Sequence, residues 1–160
     1  MPDVYVAAGG NVEPRARLAQ AITLLRKAWP TLRVSPAYRN AAVGFEGEDF
    51  INLVAVFSTD ESLAQVLERL HAIEAECGRE RNAPKWAARA MDLDVLLYGD
   101  EVGTFPGAVL PRPDLLRRAY MLGPLAELAP TLLHPTEKTT IDELWRRFDR
   151  GAHAMTRVEL

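Results

Sequence analysis

The nine residues Phe50–Ser58 constrain the fold more than any other stretch of this chain. Phe50, Asn52, Val54 and Val56 alternate with Ile51, Leu53, Ala55 and Phe57, and Asn52 is the one polar member of either set. Side chains alternate between the two faces of a strand, so a segment apolar on both faces belongs in the middle of a sheet.

The segments around it fall into an order. Residues 4–8 are short, apolar and β-compatible, and run into the turn signal Gly9-Gly10-Asn11. Over residues 14–28, Leu18, Ile22 and Leu25 recur at helical spacing, with Trp29 continuing the stripe. Residues 32–38 read as a second strand. After 50–58, Leu63, Val66, Leu67, Leu70, Ile73 and Cys77 form another helical stripe, with Thr59, Asp60 and Ser62 available as N-caps. Residues 91–98 are a further strand, so the order is β-α-β-β-α-β. Beyond it, 102–105 is expected to add an edge strand. Helical segments follow near 115–128, broken at Gly123-Pro124, and over 141–148. The expected class is α+β, a ferredoxin-like βαββαβ core with an additional edge strand and C-terminal helices, the helices lying on one face of a mainly antiparallel sheet.

Composition bounds what such a chain does. Its 160 residues suit one domain spanning 1–160, and 48% hydrophobic residues can build a core without disulfides or a structural metal. The sole cysteine, Cys77, closes no intrachain disulfide and suits a reducing, cytoplasmic setting. The N-terminus does not read as a signal peptide, and no apolar run approaches the roughly 20 residues of a membrane span. A net charge of -3 argues against nucleic acid or a membrane surface as partner.

The chemistry concentrates around Asp92-Leu93-Asp94. Residues two apart on a strand share a face, so the two carboxylates project together, their Cα atoms roughly 6.5–7 Å apart. Leu93, Val95 and Leu97 are expected to face the core. Hard cations such as Mg²⁺ take carboxylate oxygens, and two on one rigid strand leave positions for substrate phosphates. Spacing alone favours the bland alternative, a strand end whose aspartates meet solvent or arginines. Arg79, Arg81, Lys85 and Arg89 lie just upstream, interleaved with Trp86. An arginine fork binds phosphate oxygens in pairs and an indole can stack on a base, although a solvated charged loop explains the same run. Glu74 edges an apolar helical stripe and is either a ribose acceptor or an exposed helix carboxylate. Phe50 and Asn52 share a strand face, where a ring to stack and an amide to read suit a planar heterocycle as well as ordinary packing. No phosphate-binding GxxxxGK[ST], GxGxxG, CxxC or GxSxG motif is present, and His71, His134 and His153 lack metal-ligand spacing. Cys77 reads as a buried structural residue.

Four segments, VYVAAGGN, YRN…GFEGEDFINLVAVF, IEAECGRERNAPKWAARAMDLDVLLYG and LPRPDLLRRAYMLGPLAELAP, together resemble the 6-hydroxymethyl-7,8-dihydropterin pyrophosphokinases of folate biosynthesis over nearly the whole chain. The resemblance implies pyrophosphoryl transfer from Mg-ATP to the pterin hydroxymethyl group, in line at the β-phosphorus, with AMP expelled. By the same resemblance Asp92 and Asp94 hold two Mg²⁺, and Arg79 and Arg89 stabilise the transferring group from a catalytic loop. Arg81, Trp86, Arg112 and Arg118 contact ATP, and Glu74 binds its ribose. Phe50, Asn52 and Tyr120 form the pterin slot, completed by backbone near Val43 and Gly44. Loops 41–49 and 79–89 are expected to close over the substrates, and a monomer is expected.

The chain departs from the family's usual pattern at several places. It has Gly9-Gly10-Asn11 for Gly-Ser-Asn, Asn40-Ala41-Ala42 where Thr-Pro is usual, Ala87-Ala88 for Gly-Pro, and Pro111-Arg112 for Pro-His. His71 stands where some members carry glutamine. Two other classes of function compete: a catalytically weak nucleotide- or pterin-binding regulatory module, and a two-metal polymerase- or nuclease-like palm. The acidic balance and short chain disfavour the palm.

Overall fold

The computed structural model describes residues 1–40, 49–78, 91–149 and 154–160. Strand β1 (Asp3–Gly10) is buried along all but its first residue. Helix α1 (Pro14–Ala28) starts on a proline, whose missing N–H costs nothing there, and buries Leu18, Ala21 and Leu25. The expected second strand is two pieces, β2 (Arg33–Val34) and β3 (Ala37–Asn40). Pro36 has no N–H to give the ladder, and Ser35 bridges the gap: its N–H donates to Val54 O at 2.8 Å and its hydroxyl accepts from Val54 N at 2.9 Å.

Strand β4 (Phe50–Ser58) follows, then α2 (Leu63–Glu76), opened by a capping box between Ser62 and Gln65, then β5 (Asp92–Tyr98). The main sheet runs β5-β1-β4-β3, all antiparallel, with β2 also pairing β4, so β4 is central as its two apolar faces require. This is the ferredoxin-like order. The extra edge strand exists but comes from the C-terminus, β8 (Thr156–Val158), which pairs β3. Residues 102–105 do not join that edge. Gly103–Phe105 (β6) instead pairs Ala108–Leu110 (β7) as a separate hairpin turned at Gly107, whose φ of 86° suits glycine.

The break expected at Gly123-Pro124 is absent. A 3-10 turn (Pro113–Leu116) leads into α3 (Ala119–Leu128), which carries Pro124 inside it, and α4 (Ile141–Arg147) follows. Gly123 has a packing reason: a Cβ there would lie 2.9 Å from the Trp145 ring of α4.

Helices cover both faces of the sheet, which corrects the one-face expectation. One core joins Val4, Val6, Ala8, Leu53, Phe57 and Val95 to Leu18, Leu25, Leu70 and Ile73 of α1 and α2. The other joins Tyr5, Ala7, Val54 and Val56 to Leu122, Leu125 and Ile141 of α3 and α4. Leu97 belongs to this second core rather than beside Leu93 and Val95. The cause is a β-bulge: Tyr5 pairs Leu97 and Val6 pairs Val95, so Leu96 is an extra residue and the faces switch after it. Among the described residues no helix is long and apolar enough to cross a membrane.

Candidate active site

Register places the candidate residues. Asp92 pairs Gly9, Gly9 pairs Asn52, and Asn52 pairs Tyr38, so four residues from four strands form one row on one face. Asp94 lies one step behind, paired with Ala7, which is paired in turn with Val54. Neighbouring strands are about 4.8 Å apart, which sets the Asp92 and Asn52 backbones about 10 Å from each other across Gly9. Asp92 and Asp94 are both half-buried, and they share a face as their spacing predicts.

Gly9 is what lets this row exist. A Cβ on it would lie 1.9 Å from Asn52 Oδ1, so the Asn52 amide reaches across β1 only because no side chain stands there. Asn52 is buried, and its Nδ2 donates to Asn40 Oδ1 at 2.5 Å. Phe50 sits at the start of β4, paired with Asn40 and sharing the face of Asn52. Next in the row, the Tyr38 hydroxyl donates to Glu127 of α3, and Arg157 of β8 reaches Glu127 at 2.7 Å and the Tyr38 hydroxyl at 3.3 Å. Sequence reasoning missed that last cluster. Its members lie 89 and 119 residues from Tyr38, and a three-residue strand carries no periodic signal.

At the other end, Arg112 Nη1 stands 3.7 Å from Asp94 Oδ1 and its Nη2 3.3 Å from Asp114 Oδ2. Tyr120, in the first turn of α3, completes the surroundings. Burial pushes its phenol above the ordinary value; Arg118 opposes that, Asp114 and Asp94 add to it, and Arg112 opposes it. The group is a neutral hydroxyl near pH 7 within electrostatic reach of Asp94. Arg118 is exposed at the α3 N-terminus.

Glu74 is not the exposed carboxylate that one sequence reading allowed. It is buried on α2, and its Oε2 accepts the Leu93 N–H at 2.8 Å. As β5 is an edge strand among the described residues, that N–H has no ladder partner there, and Glu74 satisfies it between the two aspartates. Cys77 is buried at the end of α2, and burial raises its thiol above the ordinary value, which suits a structural residue. Val43, Gly44, Arg79, Arg81, Lys85, Trp86 and Arg89 lie outside the described residues, as do loops 79–89 and, apart from Asp49, 41–49.

The donor set fits magnesium. Among the described residues no three His, Cys, Asp or Glu side chains converge as a closed metal cage. Two half-buried carboxylates instead offer hard oxygens and leave coordination positions for phosphate and water, the usual protein share of a magnesium-nucleotide site.

Residues 5–130 match the family model for 7,8-dihydro-6-hydroxymethylpterin-pyrophosphokinase. The 2-amino-4-hydroxy-6-hydroxymethyldihydropteridine pyrophosphokinase of Pseudomonas aeruginosa is 38% identical over 136 residues, covering 82% of this chain and 83% of that one. The enzyme of the same name from Aquifex aeolicus is 32% identical over 145 residues, covering 89% and 90%. Among solved structures, the HPPK-DHPS protein of Plasmodium falciparum superposes with a TM-score of 0.70 at 13% identity, covering 91% of this chain. The chain spans less than half of that longer protein, 45%.

Proposed function

The chain belongs to the 7,8-dihydro-6-hydroxymethylpterin-pyrophosphokinase family, and from that premise we propose how its own residues divide the family's reaction along the polar row. The reaction is transfer of pyrophosphate from ATP to the hydroxymethyl group of 6-hydroxymethyl-7,8-dihydropterin, releasing AMP, in folate biosynthesis, and it requires Mg²⁺. The observation that carries the division is the register Asp92–Gly9–Asn52–Tyr38, which sets a carboxylate end and an amide end on one sheet face.

Asp92 and Asp94 hold the magnesium-nucleotide end, with two ions as the proposed count. Held by these carboxylates, magnesium would supply neutralisation of the phosphate charge. Arg112, just ahead of the 3-10 turn, and Arg118, at the start of α3, supply positive charge to the phosphates. Glu74 keeps the aspartate strand in place through Leu93 and takes the ribose side of the nucleotide. Arg79 and Arg89, with Arg81 and Trp86, complete the charge and the cover over the nucleotide in this reading.

At the other end, Phe50 offers its ring to a pterin face and Asn52 its amide to the pterin edge, with backbone near Val43 and Gly44 completing the slot and Tyr120 bounding it from the Asp94 side. Asn40 holds the Asn52 Nδ2, which fixes which way the amide points and leaves Oδ1 on the Gly9 side. The hydroxymethyl oxygen attacks the β-phosphorus, the bond from that phosphorus to the α-β bridging oxygen breaks, and AMP leaves. The hydroxyl proton passes to solvent. Such a step needs alignment and charge neutralisation more than covalent catalysis, and residues on rigid strands supply alignment. We place the enzyme in the cytoplasm as a single-domain monomer.

Incubation with Mg-ATP and 6-hydroxymethyl-7,8-dihydropterin tests the reading. AMP and pterin diphosphate should appear in equal amounts; ADP in place of AMP would sink it. Asp94→Ala should keep its fold and lose at least about a hundredfold in turnover, as loss of a charge-stabilising ligand does. Unchanged turnover at limiting Mg²⁺ would remove Asp94 from the metal end.

A further inference from the structure

The bulge in β5 has a second effect besides switching faces. The Leu96 carbonyl, opposite no residue of β1, accepts the Arg112 N–H at 2.9 Å and pins the Arg112 backbone beside the aspartate strand. From there the guanidinium reaches two carboxylates. Asp94 Oδ1 is at 3.7 Å and Asp114 Oδ2 at 3.3 Å, both longer than the roughly 2.7–2.9 Å of a formed charge-assisted hydrogen bond. Arg112 Nε is buried and has no hydrogen-bond partner among the described residues. Asp114 is itself firmly placed, because its backbone carbonyl accepts from both Arg117 N and Arg118 N. The arginine is thus attracted to both acids and locked to neither.

We propose that Arg112 is the resident counter-cation of Asp94, and that it opposes a divalent ion arriving alone while favouring one that arrives with a nucleotide. The proposal rests on the metal role given to Asp94 above. A guanidinium 3.7 Å from Asp94 neutralises the charge that would attract a metal, and a divalent ion bound to that oxygen would repel it. A nucleotide changes the balance, since its phosphates offer Arg112 a better acceptor than either aspartate and the otherwise orphaned Nε a partner. Metal and nucleotide are then coupled through one side chain, and linkage makes that coupling reciprocal. No change of fold is needed, only a turn of the Arg112 side chain away from Asp94 with its backbone held by Leu96.

Mn²⁺ serves as the probe, read by water-proton relaxation without nucleotide and again with α,β-methylene-ATP. Arg112→Gln should bind Mn²⁺ alone about three- to tenfold more tightly than the parent, the range expected when a partly exposed ion pair is lifted. The gain in Mn²⁺ affinity on adding the nucleotide should shrink by a similar factor. Asp114→Asn should act in the opposite direction, as Arg112 then leans on Asp94 alone. That effect should vanish in the double variant, which a general loss of negative charge would not do. Unchanged or weaker Mn²⁺ binding by Arg112→Gln overturns the proposal, and so does an Asp114→Asn effect that survives in the double variant. Asp94→Asn separates this from the reading beneath it. If that variant binds Mn²⁺ like the parent, the metal assignment fails. If it loses Mn²⁺ while Arg112→Gln changes nothing, only the coupling fails.

Discussion

The two faces of the sheet are built from the same strands and do different things. Toward α1 and α2 the cover is continuous: β4 presents Ile51, Leu53, Ala55 and Phe57, all buried, against one core. Toward α3 and α4 the same strand joins the core only at Val56 and Val54; at Asn52 it turns polar, with Phe50 beyond it outside that core. β1 and β5 change in the same register, from Ala7 to Gly9 and from Leu97 to Asp94 and Asp92. The candidate site therefore begins on the second face where the apolar core under α3 and α4 ends. A functional row on a sheet needs no special strand; it needs cover that stops one row short and polar residues that begin where it stops.

The sharpest way to break this comparison is a deletion deep in the closed face. Phe57 is 1% exposed and stacks on Trp29 with ring centroids 4.0 Å apart. Phe57→Ala should cost about 3–5 kcal/mol of stability by urea unfolding, since the cavity adds to the lost transfer energy. Turnover per folded molecule should stay within about twofold, because distant, unshared sites act independently. A large fall in turnover at temperatures where the variant is folded would show that the faces are not separable.

Gly9→Ala tests the open face and should have the next largest effect. The new Cβ meets the Asn52 amide, so Asn52 has to leave its place or β1 has to shift. Overpacking of this kind costs about 1–3 kcal/mol. We expect it as a larger rise in the dissociation constant for the pterin than for the nucleotide, because the new Cβ meets Asn52 itself, whereas of the two aspartates only Asp92 pairs with Gly9 and Asp94 pairs with Ala7. Equal losses for both ligands would mean that the row is not divided as described.

Much of the closed face was legible in the sequence, and the reason is periodicity. Helix α1 and strand β4 occupy the segments their apolar patterns mark, and Asp92 and Asp94 share a face because two-residue spacing dictates it. Central placement of β4 followed from its two apolar faces, and that observation already demanded cover on both sides. Which face the later helices cover is not legible locally, because the α3 segment offers little amphipathic contrast: seven of its ten residues are buried, so its pattern does not say which way it packs. The bulge was invisible, because Val95, Leu96 and Leu97 are all apolar and either face accepts them. Strand β8 and the Tyr38–Glu127–Arg157 cluster depend on contacts between distant segments, which no local pattern records. The site followed the same rule. The shared face of Asp92 and Asp94 came from local spacing and their expected metal role from the resemblance, whereas the contacts of Gly9 and Asn40 appear only when three strands are side by side.

The smallest expected effect is a difference in acid sensitivity between the two covers. The connection from α3 to α4 turns around His134, which is 1% exposed. Its Nδ1 accepts from Glu137 N at 3.2 Å and from Thr136 N at 3.3 Å, a role open only to the neutral ring. Burial lowers its pKa from the ordinary 6.5, and the Glu137 carboxylate only partly opposes this. With the folded value depressed, the unfolded chain takes up the proton first as pH falls. Stability is therefore unaffected well above 6.5 and declines as pH drops through 6.5 toward the folded value. Between pH 6.5 and 5.5 this one group can remove at most about 1.4 kcal/mol. The α1 and α2 cover has no counterpart, as its one histidine, His71, is exposed. Amide exchange should accordingly quicken in α3 and α4 before α1 and α2 as pH is lowered across that window, after correction for the intrinsic pH dependence of exchange. His134→Asn, which keeps an acceptor and cannot titrate, should remove that difference. Should exchange in the two covers respond equally in the parent protein, or the variant keep the parent's slope, His134 is not what makes the second cover the weaker one in acid.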